Sequence, residues 1–224
     1  MTFPELIVFD CDGVLVDSES LSEKAIQQLL AETGAFPQGV RTDHFVGRTD
    51  REILETLFGE LGREVPEGLH ERLLEITRDL FDQELTTLDG VEDFIRQCDT
   101  KICVASNSNR ERLNAALKAA GLDRFFPSEA RFSSSDVERP KPAPDLHLLA
   151  CRVMECEPDR ALVIEDSKTG ATAAGAAGIS VLGLVAASHL GPDASANLRD
   201  AGCFAVAKSW KEVSELLQEF ESFA

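Results

Sequence analysis

Three short apolar runs constrain this chain most, because each stops abruptly at polar residues. They are Leu6-Ile7-Val8-Phe9 before Asp10, Ile102-Cys103-Val104-Ala105 before Ser106, and Ala161-Leu162-Val163-Ile164 before Glu165 and Asp166. Runs of this length, apolar on both faces, are the pattern of central strands in a parallel sheet. Val181–Val185 and Phe204–Ala207 have the same character, and Ala130–Ser133 has it more weakly. Helical segments lie between them. Arg110–Ala120 stops at Gly121, Pro144–Met154 opens on proline, and Ser209-Trp210-Lys211-Glu212 is a capping box that opens a last helix. Strand and helix alternating over residues 100–220 predict an α/β domain with a doubly wound parallel sheet and right-handed crossovers.

Residues 18–83 break the alternation. Leu21, Ala25, Ile26, Leu29 and Leu30 form one helical stripe. Ile53, Leu54, Leu57, Phe58 and Leu61 form a second, opened by Thr49-Asp50-Arg51-Glu52, and Leu69, Leu73, Ile76, Leu80 and Phe81 form a third. The expected organisation is a core domain of residues 1–15 and 84–224, with a small all-helical cap domain inserted at 16–83.

With 224 residues there is room for one core and a modest insertion. A formal charge of −18 argues against nucleic acid and anionic membrane as partners, since affinity for either comes from clustered Lys and Arg. The N-terminus lacks a basic region, and the longest weakly polar stretch, about 178–187, is too short to span a bilayer. Six cysteines form no C-x-x-C pair, so they are expected to be reduced core residues of a cytoplasmic protein.

Ligands of open parallel sheets bind just beyond the carboxyl ends of the strands. Asp10, Asp12, Ser106, Asn107, Glu165 and Asp166 are therefore predicted to converge. Acids packed together repel one another unless a cation neutralises them, and oxygen-only ligands favour a hard ion such as Mg²⁺.

Asp10-Cys11-Asp12-Gly13-Val14-Leu15-Val16-Asp17-Ser18 resembles the first signature of the haloacid dehalogenase superfamily phosphatases. Three later segments resemble the other motifs of that superfamily, in the right order: Ser106-Asn107, Lys141 within Arg139–Asp145, and Val163–Ser167. Gly170–Gly178 fits as well, and the place of the helical insertion resembles the β-phosphoglucomutase-like subgroup. The resemblance covers nearly the whole chain. It implies a Rossmann-like core and a phosphoric monoester hydrolase acting on a small phosphorylated metabolite, a sugar phosphate or phosphorylated sugar acid. By the same resemblance Asp10 is the nucleophile that forms an aspartyl phosphate, and Asp12 is the general acid and base. Asp10, the Asp12 carbonyl and Asp166 hold Mg²⁺, with Glu165 reaching it through water. Ser106, the Asn107 amide and Lys141 bind phosphate, and Gly47 with Arg48 face the site from the cap.

Blander readings stand beside these. Asp-x-Asp-Gly occurs in calcium loops, but Val14-Leu15-Val16 supplies no ligands there. Lys141 alone would be a solvated lysine, Arg48 an exposed arginine, Ser106-Asn107 a helix cap, and His44 and His189 ordinary loop histidines. The small residues of 169–178 serve close packing of a helix on the sheet. A β-phosphoglucomutase is the competing activity, but mutases carry a histidine where this chain has Ser22, a lysine at Val46 and an arginine at Asp50. A non-catalytic binding protein on the same fold is the third reading, and it does not account for the retained Asp10, Asp12, Asp166 and Lys141.

Overall fold

The computed structural model describes residues 4–34 and 49–221. Among these the six strands are β1 (Leu6–Phe9), β2 (Lys101–Ser106), β3 (Arg131–Ser133), β4 (Ala161–Glu165), β5 (Ser180–Leu184) and β6 (Ala205–Ala207). They form one parallel sheet in the order β3-β2-β1-β4-β5-β6. The chain winds outward from β1 through β2 to β3, then returns to lay β4 against the other side of β1. That reversal opens a crevice above the carboxyl end of β1.

The helices are α1 (Glu19–Thr33), α2 (Asp50–Glu60), α3 (Leu69–Glu84), α4 (Val91–Gln97), α5 (Arg110–Ala119), α6 (Asp145–Val153), α7 (Lys168–Ala176), α8 (Ala194–Asp200) and α9 (Trp210–Glu221). Period-two alternation divides the buried strand residues between two faces. Ile7, Phe9, Val104, Leu162 and Ile164 join Val91 of α4, Leu113 of α5 and Trp210 of α9 in one apolar layer. Leu6, Val8, Cys103, Ala161 and Val163 join Leu146 of α6, Ala171 of α7 and Leu198 of α8 in the other. Each fully buried Leu, Val or Phe contributes about 1.5–3 kcal/mol, so sheet and helices are held from both faces.

α1, α2 and α3 share a third apolar cluster, in which Ala25, Ile26, Leu29, Leu54, Leu57, Phe58, Leu73 and Ile76 meet. Leu21 and Phe81, at one end of this helical layer, belong instead to a core layer. Among the described residues of 18–83 the regular structure is helical throughout.

Several boundaries shift from expectation. α6 begins at Asp145, with Pro144 as its N-cap, and β6 begins after Phe204. Leu61 is the C-cap of α2 and is 42% exposed, so it leaves its stripe. The Thr49–Glu52 box forms with both reciprocal bonds. In the second box Ser209 Oγ accepts from the Glu212 amide at 3.2 Å, but the Glu212 carboxylate accepts from the Lys208 amide at 2.7 Å. α4 and α8 have no counterpart in the sequence reading, being only seven residues each. All six cysteines are free, and all but Cys98 are buried. No helix among the described residues is long and apolar enough to cross a membrane. His44, Val46, Gly47 and Arg48 lie outside the described residues.

Candidate active site

Asp10 follows directly on β1, and its amide donates to the carbonyl of Ile164 at 3.0 Å, which fixes it beside β4. The chain then coils tightly. The amides of Val14, Leu15 and Val16 all point at the Cys11 carbonyl, at 3.4, 2.9 and 3.1 Å, and Trp210 Nε1 donates to the Val14 carbonyl at 3.1 Å. The apolar side chains of 14–16 are buried, so the coil is anchored in the core. Gly13 has φ of +80°, and a Cβ there would lie 1.8 Å from Asp166 Oδ2. The turn and the neighbouring carboxylate both require glycine.

The predicted residues do come together. Lys141 Nζ donates to Asp10 Oδ1 at 2.8 Å and to Glu165 Oε1 at 2.6 Å. Carboxylate oxygens of Asp10, Glu165 and Asp166 lie within 4.8 Å of one another, and all three residues are buried. Ser106 Oγ approaches Asp12 Oδ2 at 3.4 Å and accepts from the Ser108 amide at 3.0 Å. His189 Nε2 is 3.5 Å from Asp166 Oδ2, so the loop after β5 faces this site.

Asn107 takes part through its side chain. Its Nδ2 donates to the Lys141 carbonyl and its Oδ1 accepts from the Lys141 amide, both at 3.0 Å. The amide thus clamps the loop that carries the lysine, whose Lys141–Pro142 peptide is cis. Glu165 is equally committed: its Oε2 accepts from the amides of Asp166 (3.1 Å) and Ser167 (3.0 Å) and from Ser167 Oγ (2.9 Å).

Asp12 occupies a different cage. Its Oδ1 accepts from Ser18 Oγ, its Oδ2 accepts from Ser108 Oγ at 2.9 Å, and Arg112 Nη2 lies 3.6 Å from Oδ1. Ser18, Ser108 and Arg112 were not singled out from sequence as site residues. Ser18 closes the first motif and Ser108 follows the second, so proximity to those motifs was the available signal. For Arg112 there was none, because an arginine near the start of a helix is ordinarily solvated.

Electrostatics separate the two aspartates. Burial pushes the Asp10 carboxyl up to about 8; Lys141 opposes this, while Glu165 and Asp12 add to it. Burial likewise raises Asp166 well above the carboxylate range, assisted by Glu165 and Asp10. Burial would raise Asp12 too, but Arg112 and the hydroxyls of Ser18, Ser108 and Ser106 outweigh it and hold it below its usual value. Burial works against the charge on Lys141, and Asp10 and Glu165 overcome it.

Three buried acids therefore share one ammonium, a charge imbalance that a hard cation would correct. Among the described residues none donates a hydrogen bond to the Asp166 carboxylate, whereas Asp10 and Glu165 both hold Lys141. The donor set is all oxygen and fits Mg²⁺ better than a soft metal.

A family model for haloacid dehalogenase-like hydrolases matches residues 7–184. The chain belongs to that family. Among its relatives, 6-phosphogluconate phosphatase of Escherichia coli is 30% identical over 84% of this chain and 86% of its own length. Phosphorylated carbohydrates phosphatase of Thermotoga maritima is 28% identical over 96% of this chain and 99% of its own. A solved haloacid dehalogenase-like protein of unknown function from Agrobacterium tumefaciens superposes with a TM-score of 0.78 at 31% identity, over 96% of this chain and 98% of that one. A putative β-phosphoglucomutase from Thermotoga maritima superposes with a TM-score of 0.74 at 27% identity, over 96% and 99%. The kinship is with the phosphoric monoester hydrolases of the family and, in fold, with its β-phosphoglucomutase-like proteins.

Proposed function

We propose that this family member is a magnesium-dependent phosphatase that hydrolyses a small sugar phosphate or phosphorylated sugar acid through an aspartyl phosphate at Asp10. The placement of Asp10 carries the reading. Its carboxylate follows directly on the central strand, touches the Lys141 ammonium at 2.8 Å, and lies within 4.8 Å of the carboxylate of Asp166. An anionic nucleophile that must meet an anionic phosphate needs positive charge at that point.

An Asp10 oxygen attacks phosphorus as the ester P–O bond breaks. Asp12 hands its proton to the departing oxygen, and the incoming negative phosphate raises the proton affinity that this step requires. The leaving alcohol gives way to water. Asp12 takes a proton from that water as it attacks the aspartyl phosphate, releasing inorganic phosphate and restoring the Asp10 carboxylate. Lys141, the Ser106 hydroxyl and the Asn107 backbone amide contact the phosphate oxygens. Asp10, the Asp12 carbonyl and Asp166 are the residues that would hold Mg²⁺, which when bound offsets the charge that keeps the two anions apart.

Residues 16–83 act as the cap, and Gly47-Arg48 supply its contact with the remainder of the substrate. The curated relatives named for 6-phosphogluconate and phosphorylated carbohydrates support a polar phosphorylated substrate. Against isomerisation stands Ser22, where mutases place histidine; here its hydroxyl accepts from Arg112 at 2.6 Å.

A panel of phosphate monoesters, read for released phosphate, tests the assignment. Activity should vanish with EDTA and return with Mg²⁺ or Mn²⁺, while Ca²⁺ inhibits. β-Glucose 1-phosphate with a bisphosphate primer should give free phosphate and little glucose 6-phosphate. Full turnover in metal-free buffer, or isomer outrunning phosphate, would overturn the reading.

A further inference from the structure

We propose that Arg112 is a positioning residue that ties the Asp12 carboxylate to helices α1 and α3, so that proton delivery to the leaving oxygen depends on that tie. The inference rests on the acid–base role proposed for Asp12.

Arg112 lies in the first turn of α5, where its own amide donates to Asn109, the N-cap, at 2.8 Å. Its guanidinium then reaches three elements at once. Nη2 donates to Ser22 Oγ on α1 at 2.6 Å and stands 3.6 Å from Asp12 Oδ1, and the guanidinium carbon lies 5.7 Å from the ring centre of Phe81 on α3. Ser22 Oγ also donates to the Ser18 carbonyl at 2.9 Å, and Ser18 Oγ donates to Asp12 Oδ1. The contacts close a ring: Asp12, Ser18, Ser22, Arg112 and back to Asp12. All but Asp12 are buried, and its side chain is only 21% exposed.

A planar guanidinium can serve three directions at once, which a lysine ammonium on the same helix cannot do as a fork. The geometry is costly for stability alone, because an isolated buried ion pair gains little over apolar packing. It is useful where one oxygen of one carboxylate must be held in a fixed direction. A shift of about 1 Å in a reacting group costs on the order of a hundredfold in rate.

Leaving-group dependence tests this. An alkyl or sugar phosphate needs its leaving oxygen protonated, whereas p-nitrophenolate departs without help. In Arg112→Met, kcat/KM, which reports transfer to Asp10, should fall about ten- to a hundredfold on a sugar phosphate and less than about threefold on p-nitrophenyl phosphate. Arg112→Lys and Ser22→Ala should show the same selectivity to a smaller extent. In an Asp12→Asn background, Arg112→Met should add less than about twofold, since the residue it serves is gone. Melting curves establish that the variants fold, and Ser22→Ala keeps the test open if Arg112→Met does not. Equal losses on both substrates, or a full extra loss in the double variant, would overturn the proposal and leave the phosphatase reading in place. A rise in KM alone would overturn it by making Arg112 a substrate contact. A parent that cleaves no phosphate monoester would overturn both.

Discussion

Gly170 and Gly175 both lie in α7, and helix propensity alone says that alanine at either should stabilise by about 0.5–1 kcal/mol. The packing predicts opposite signs. A Cβ at Gly175 meets nothing within 4 Å, whereas one at Gly170 lands 1.5 Å from Glu165 Oε1 and 2.0 Å from its Cδ. To restore contact distance the carboxylate must retreat by roughly 1.5–2 Å, given ordinary carbon–oxygen contacts of about 3.5 Å. That retreat gives up the 2.6 Å bond to Lys141 and three bonds that shape the turn at Asp166 and Ser167. Breaking a buried charge pair costs about 3–5 kcal/mol, which leaves a net loss of about 2–4 kcal/mol after the propensity gain. At about 2–4 °C per kcal/mol for a chain of this size, Gly170→Ala should lower Tm by roughly 4–16 °C. Gly175→Ala should hold or raise it. Scanning calorimetry of both variants beside the parent decides the matter. A Gly170→Ala protein as stable as Gly175→Ala would mean that Glu165 does not lie against α7 and that its bond to Lys141 is not a support of the site.

Asp10→Asn should lower turnover by about a thousandfold or more while preserving the fold. The Asp10 carboxyl is raised to about 8, so in metal-free buffer the unfolded chain sheds this proton above about pH 4 while the folded one keeps it, and stability falls as pH climbs toward 8. Asp10→Asn should accordingly match the parent near about pH 4 or below and exceed it in Tm by a margin that grows up to about pH 8; a parent that gains on the variant with rising pH would contradict this. Arg48→Ala should reduce kcat/KM for the preferred polar substrate by about ten- to a thousandfold and barely affect p-nitrophenyl phosphate, because a minimal substrate offers the guanidinium nothing to hold. His147 is fully buried, and burial followed by the charge of Lys141 keeps its imidazole well below the usual histidine range. The unfolded chain binds a proton there below about pH 6.5 and the folded one does not, so stability should fall by up to about 1.4 kcal/mol per unit of acidification. His147→Phe should flatten that slope between pH 6.5 and 5, as read by urea titration; an unchanged slope would place the acid sensitivity elsewhere.

The sheet was legible because its central strands are buried on both faces, and continuous apolar runs announce that condition. The polar residues at the strand ends were legible for the same reason: the place of Asp10, Ser106 and Asp166 followed from where the apolar runs stop. α4 and α8 were not legible, since two turns are too short to establish a period, and their burial rests on only a few side chains such as Val91, Ile95 and Leu198. Arg112 was hidden for a different reason. Its partners Ser22 and Asp12 are 90 and 100 residues away, and nothing in local sequence distinguishes a guanidinium that turns inward from one that stays in water. Asn107 was expected to offer its backbone amide to phosphate, but its side chain clamps Lys141, a contact that only the meeting of two loops reveals.

That clamp bears on when the entropy of order is lost. A carboxamide presents one donor and one acceptor in a single plane, as a peptide group does, and Asn107 uses both against the backbone of Lys141 as a strand uses its neighbour. The loop bearing the ammonium is therefore immobilised during folding, before any ligand arrives. On the proposed reading, a phosphate entering the crevice would meet a cation already held in place, and its binding free energy would remain available for whatever must still move.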